Sequence, residues 1–185
     1  MKTLKIVTIS LVLTTTGCAS LSREDCLYGD WFGIGVTDGR EGSVASNFVR
    51  HQDACRSYGV EPDKAQYLAG REQGLQQYCQ LDNAIDIGLR GIRYQSVCPS
   101  AVDIAMRRYN DTAYQVYQQR KALQDLDESL ANKEKSLQDK KLSDKARQAI
   151  RDDIRSLDRK RPYLRDDLYS VEQQLDRLIY QQKLH

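Results

Sequence analysis

The sequence predicts a mostly α-helical protein. A small, disulfide-stapled, Gly- and Tyr-rich helical head is followed by a long antiparallel helical hairpin of coiled-coil character. Three observations predict it. Apolar residues recur every seven positions on both sides of a short polar turn in the last 85 residues. Glycine is spread through the first half of the chain and absent after Gly91. Of five cysteines, four fall within residues 26–98.

The hairpin carries the strongest pattern. From Pro99 onward Gln, Asp, Arg, Lys and Leu dominate, and Ser100 is suited to cap a helix of about 40 residues reaching Lys140. Its repeat runs Val102, Tyr109, Val116, Leu123, Leu130 and Leu137. A turn at Lys141–Ser143 precedes a second helix, started by Ser143 and Asp144, with Ile150, Leu157, Leu164, Val171 and Leu178 at the same spacing. Ile154, Leu168 and Leu175 fill the alternate positions there, with Arg161 the exception. Sustained heptads flanking a short turn argue for two antiparallel arms, each roughly 60 Å long at 1.5 Å per residue. Pro162 removes a backbone donor and predicts a kink rather than a stop, because the heptad phase continues from Leu157 to Leu164. On the first arm the alternate positions decay from Met106 and Ala113 to Arg120, Asp127 and Glu134. That seam is half polar toward the tip, which predicts loose zipping or a partner that covers it.

The head is less periodic. Between Asp30 and Gly42 the glycines predict turns rather than a long regular element. Ser43 is a candidate N-cap for a helix through Tyr58, ended by Gly59, with Val44, Phe48, His51 and Cys55 on its apolar face. Pro62 suits the first turn of a second helix, Pro62 to Cys79, with Leu68, Leu75 and Cys79 in a stripe. On that helix Gly70 and Gly74 form a notch flanked by Tyr67 and Tyr78, where another backbone approaches closely. Residues 80–97 are expected to be irregular, with at most one helical turn.

The N-terminus supplies the address. Met1-Lys-Thr-Leu-Lys5, the apolar run Ile6–Leu13 and Thr15-Thr16-Gly17 stand directly before Cys18. This order resembles a bacterial lipoprotein signal peptide and its lipobox. The resemblance implies cleavage after Gly17 and lipid chains on Cys18; a generic secretory signal cut at the same place is the alternative. The apolar run is too short to span a bilayer, which needs roughly 20 residues. The residue after the cysteine is Ala19 rather than Asp, which by the same resemblance implies the periplasmic face of the outer membrane. The expected organisation is a signal peptide over 1–17, a lipidated tether over 18–25, the head over 26–100 and the hairpin over 101–185. The chain would meet the membrane through its N-terminal lipid. Formal charge is +2, and neither half is a polyanion-binding surface, so nucleic acid is not an expected partner.

With Cys18 assigned to lipid, Cys26, Cys55, Cys79 and Cys98 remain, and an even number in an exported chain argues for two disulfides. Three pairings are possible. Sequential pairing, Cys26–Cys55 and Cys79–Cys98, demands the least chain excursion. No two of these sulfurs have the close spacing of a metal-ligand pair or a C-x-x-C redox motif.

Several marks between Cys26 and Cys98 carry a second resemblance. They include Asp30-Trp31, Gly35, Asp38-Gly39, His51, Cys55, Gly59, Asp63, Tyr67, Gly70, Gly74-Leu75, Tyr78-Cys79, Gly88, Gly91, Tyr94 and Cys98-Pro99. Together with the lipobox cysteine, this order resembles the bacterial lipoprotein family known as domain of unknown function 2799, over roughly residues 26–110. The resemblance implies an address and domain limits, and brings no catalytic residue with it.

Candidates for chemistry are few. Histidine occurs only as His51 and His185. His51, on the apolar face beside Phe48 and Cys55, reads as a buried structural histidine before it reads as a general base. No G-x-S-x-G elbow and no H-E-x-x-H occurs. Asp30, Asp38, Glu41, Asp53 and Asp63 surround the Gly-rich segment, where such acids usually close Asx-turns; paired at about 5–9.5 Å they would suit glycoside hydrolysis. Trp31, Tyr67, Gly70, Gly74 and Tyr78 form a possible interaction surface, with internal packing as the alternative. Arg159-Lys160-Arg161 alternates with acids, as on a solvated helix face. No catalytic residue, metal site or cofactor is expected. The expected function is a non-enzymatic interaction or scaffold role in the envelope, through another envelope protein or self-association of the hairpin. The alternatives are a hydrolase of peptidoglycan or lipid using the head's acids and His51, or a passive glycan-binding module built on Trp31.

Overall fold

The computed structural model describes residues 20–184, so the expected signal peptide and Cys18 lie outside the described residues. Among the described residues the elements are seven helices, with no strand: α1 (Arg23–Tyr28), α2 (Trp31–Arg40), α3 (Asn47–Arg56), α4 (Lys64–Tyr78), α5 (Leu81–Leu89), α6 (Ser100–Ser136) and α7 (Asp144–Gln182). The expected class, a disulfide-stapled helical head and a long helical hairpin, is what the chain adopts. Both bridges follow sequential pairing, Cys26–Cys55 and Cys79–Cys98, with Cα–Cα distances of 5.4 and 5.7 Å.

The Gly-rich stretch from Asp30 to Gly42 is a helix, not the series of turns expected of it. Asp30 caps α2 by accepting from the Gly33 amide at 2.8 Å. Gly35 and Gly39 then face Gly70 and Gly74 on α4. A Cβ on Gly35 would run into the Tyr67 carbonyl oxygen, and one on Gly70 into that of Phe32. The glycines let two backbones touch, which outweighs the helix propensity they lack, about 1 kcal/mol each. On α4 the buried row is Tyr67, Gly70, Gly74, Leu75 and Tyr78, while Leu68 of the expected stripe is 41% exposed.

Other boundaries also move. The helix expected from Ser43 starts at Asn47; Phe48, His51 and Cys55 are buried on it, and Val44 lies exposed before it. Residues 81–89, expected to be irregular, are α5, whose Gly88 sits against Asn110 and Ala113 of α6. Helical order begins at Arg23, inside the segment read as a tether: Ser22 and Asp25 close a capping box. The helix α7 continues through Pro162.

Two cores form. The first gathers Cys26, Trp31, Phe48, Cys55 and Tyr67. The second joins Leu75, Tyr78, Ile85 and Ile87 to Met106, Tyr109, Ala113 and Val116 of α6 and Leu175 and Leu178 of α7. The base of the hairpin therefore completes the head, and the expected division between residues 100 and 101 runs through a shared core. The tyrosine hydroxyl of Tyr109 donates to the Leu178 carbonyl at 3.1 Å, fixing the two arms at their root.

Farther out the arms are held differently. Two polar alternate positions of α6 are paired across the hairpin, Arg120 with Glu172 at 2.6 Å and Asp127 with Arg161 at 2.8 Å, and Lys133, next to the third at Glu134, pairs with Asp153 at 2.6 Å. Numbers climb on one arm as they fall on the other, as antiparallel register requires. Arg161, the odd residue of the second heptad, thus answers Asp127 of the first. Yet only Leu175 and Leu178 of α7 are buried, both at the root. Ile150, Ile154, Leu157 and Leu164 remain half-buried.

Candidate functional site

The head's polar centre is built where the first three long helices and the start of the described chain meet. The carboxylate of Asp38 (α2) is buried at 7% exposure and His51 (α3) at 4%. One oxygen of Asp38 accepts from Tyr67 Oη at 2.6 Å, Asn47 Nδ2 at 2.8 Å and His51 Nε2 at 2.9 Å. On the far side of the imidazole, Nδ1 lies 3.0 Å from Ser20 Oγ. Burial pushes the Asp38 carboxyl up, but the bonds from His51, Tyr67 and Asn47 outweigh it and hold it below the usual carboxylate range. The same arrangement acts oppositely on Tyr67, whose hydroxyl is pushed well up by burial and by the adjacent carboxylate. An ionised Asp38 requires a proton on Nε2 of His51. In the tautomer with its proton on Nε2, Nδ1 is an acceptor for the Ser20 hydroxyl.

Beside this cluster lies a shallow, open depression of ≈ 550 Å³, whose lining includes Ser20, Tyr28, Asp30, Asp38, Glu41 and His51. Of the five acids singled out by sequence, only Asp38 joins the buried centre. Asp30 and Asp63 are helix N-caps, Asp63 accepting from Gln66 at 3.0 Å. Asp53 pairs with Arg56 on the surface, and Glu41 is exposed. Among the described residues no group of His, Cys, Asp and Glu is arranged to hold a metal ion.

The possible interaction surface is corrected by this geometry. Trp31 and Tyr78 are 6% exposed and Tyr67 0%, with Gly70 and Gly74 pressed against α2. The notch is filled from within the chain. Trp31, packed in the first core, offers no free face for stacking on a sugar.

Residues 30–115 match a family model described as "Protein of unknown function (DUF2799)". The resemblance to DUF2799 is thereby shown over that segment. No curated protein and no solved structure matches the chain. The DUF2799 segment takes in α2 to α5 and the first part of α6, and so includes both halves of the α2–α4 glycine contact and three of the four bridged cysteines. It ends just short of Val116, leaving the outer hairpin outside the match.

Two features of the head escaped sequence reasoning. Ser20 and Asn47 complete the His51 cluster from positions that carry no motif. Asn110, fully buried in α6, donates to the carbonyls of Ala84 and Ile92 at 3.1 and 3.0 Å and accepts from the Tyr94 amide at 2.8 Å. An asparagine one step from the apolar heptad position Tyr109 was the available signal. Tyr94 in turn donates to Asp103 at 2.6 Å and accepts from the Cys98 amide at 2.9 Å. Burial and that carboxylate push its hydroxyl up to about 12.

Proposed function

We propose that the chain is an outer-membrane lipoprotein, anchored through Cys18 on the periplasmic face, that works by interaction or scaffolding rather than catalysis. Its hairpin engages another envelope protein or a second copy. The observation that carries this reading is the outer hairpin, where Leu126 and Leu130 of α6 are buried but Leu123, Leu137, Ile150, Ile154, Leu157 and Leu164 stay half-buried beside charge pairs. Apolar residues left half-buried between two helices are covered further when a third or fourth helix packs on them, as in helix bundles. Deleting residues 101–185 would also remove half of the second core, so the test is a shorter hairpin. Excising residues 123–136 and 144–157 takes two heptads from each arm, keeps the turn and preserves register. Light scattering and crosslinking in cells are expected to lose the hairpin-dependent species. Unchanged mass and unchanged crosslinks would contradict the proposal. The anchor is tested by palmitate incorporation, expected in the native chain and absent in Cys18→Ser.

A second reading, a hydrolase, takes its support from the line Ser20–His51–Asp38, in which His51 is oriented to accept a proton from Ser20 Oγ. Labelling by a fluorophosphonate, lost in Ser20→Ala, would favour it. The scaffold reading expects no labelling.

A further inference from the structure

We propose that the head sits directly on the bilayer, with the depression beside Ser20 and the exposed rim of α1 against ammonium-bearing lipid headgroups. This rests on the reading that Cys18 is acylated. Ser20 is tied to the buried cluster through His51, Leu21 packs on the first core, Ser22 caps α1, and Cys26 is bridged to Cys55. The folded head therefore extends to Ser20. Cys18 stands two residues earlier, a backbone reach of roughly 7 Å. The headgroup layer on each side of the hydrocarbon is itself roughly 5–8 Å thick. A leash no longer than that layer holds Ser20 at headgroup level and leaves no room for a free linker.

The surface at that point suits the placement. Tyr28 is 85% exposed and Leu27 54%, both on α1, and Tyr28 lines the depression. Tyrosine and single apolar side chains favour the membrane interface. Asp25, Asp30 and Glu41 also line the depression, and among the described residues no Lys or Arg does; α1 itself adds Glu24 and one cation, Arg23. Such a rim is repelled by anionic headgroups and complemented by the primary ammonium of phosphatidylethanolamine. The consequence is directional. A clamped anchor fixes the angle at which the hairpin leaves the membrane, where a tethered head would swing.

The experiment uses the lipidated full chain in phosphatidylethanolamine vesicles, with a photo-crosslinking residue replacing Tyr28 or, separately, Leu142 at the hairpin turn. Lipid adducts are expected at position 28 and not at position 142. Inserting ten Gly/Ser residues between Ala19 and Ser20 is expected to lower the adducts at 28 about fivefold, since a longer leash dilutes the head from the surface, while palmitate incorporation stays unchanged. Replacing ethanolamine by glycerol headgroups lowers them as well. Palmitate present with equal adducts at both positions, or adducts at 28 indifferent to the insertion, overturns the docking and leaves the anchor standing. Palmitate absent from Cys18 overturns the anchor and the docking together.

Discussion

The head and the outer hairpin are made of the same element and held by different forces. In the head, helices meet backbone to backbone through Gly35, Gly39, Gly70 and Gly74, two disulfides close the chain on itself, and buried polar groups are satisfied to the last donor around Asp38 and Asn110. In the outer hairpin the seam is leaky, the ties are solvent-exposed ion pairs, and apart from Leu126 and Leu130 the apolar seam residues stay half-buried. Stability concentrated at single positions makes the head a fixed platform. Stability spread thinly along the arms leaves apolar surface that the proposed partner would cover.

That contrast is broken most forcefully at the glycines. Gly70→Val is expected to cost about 3 kcal/mol or more, because overpacking here meets backbone rather than a movable side chain; urea unfolding of the oxidised chain checks it. Next, replacing Cys79 and Cys98 together by Ala should cost roughly 2–4 kcal/mol, read as the fall in Tm relative to the oxidised native chain. Asp38→Ala comes third, at about 2–3 kcal/mol, since it strands three buried donors. The same carboxylate predicts a pH dependence. Its folded pKa lies below the ordinary value of 3.8, so its stabilisation is complete above that value and is lost as pH falls through the lower folded one. Thermal melts between pH 5 and 2 should show an acid limb that is shallower in Asp38→Asn. Smallest is Lys133→Ala at the outer hairpin, within about 0.5 kcal/mol, as exposed ion pairs contribute little.

What the sequence made legible follows the same division. The arms could be read because heptads state their contacts in periodic form: Tyr109, Val116 and Leu130 are buried on α6, and Leu175 and Leu178 on α7. The cross-arm pairing of Asp127 with Arg161 was hidden, because each looked like an isolated defect until register set them side by side. In the head, glycine misled. Gly29, Gly42, Gly59 and Gly91 do hold positive φ and end elements. Gly35, Gly39 and Gly88 have the same letter and the opposite use, inside helices at close crossings, and nothing local distinguishes them. Gly70 and Gly74 were legible because their spacing of four within a helical pattern leaves one face bare. The His51 cluster was half visible: burial followed from the helical period, while Asp38, Asn47, Tyr67 and Ser20 come from four separate segments that only the folded chain assembles.

The division of labour between platform and arm is tested most directly by the chain lacking residues 123–136 and 144–157, compared with the full chain in thermal unfolding and in-cell crosslinking. The account predicts a Tm of the head within about 4 °C of the full chain, corresponding to a change under about 1 kcal/mol, together with loss of the hairpin-dependent crosslinks. A large fall in Tm, or crosslinks that survive the excision, would contradict it.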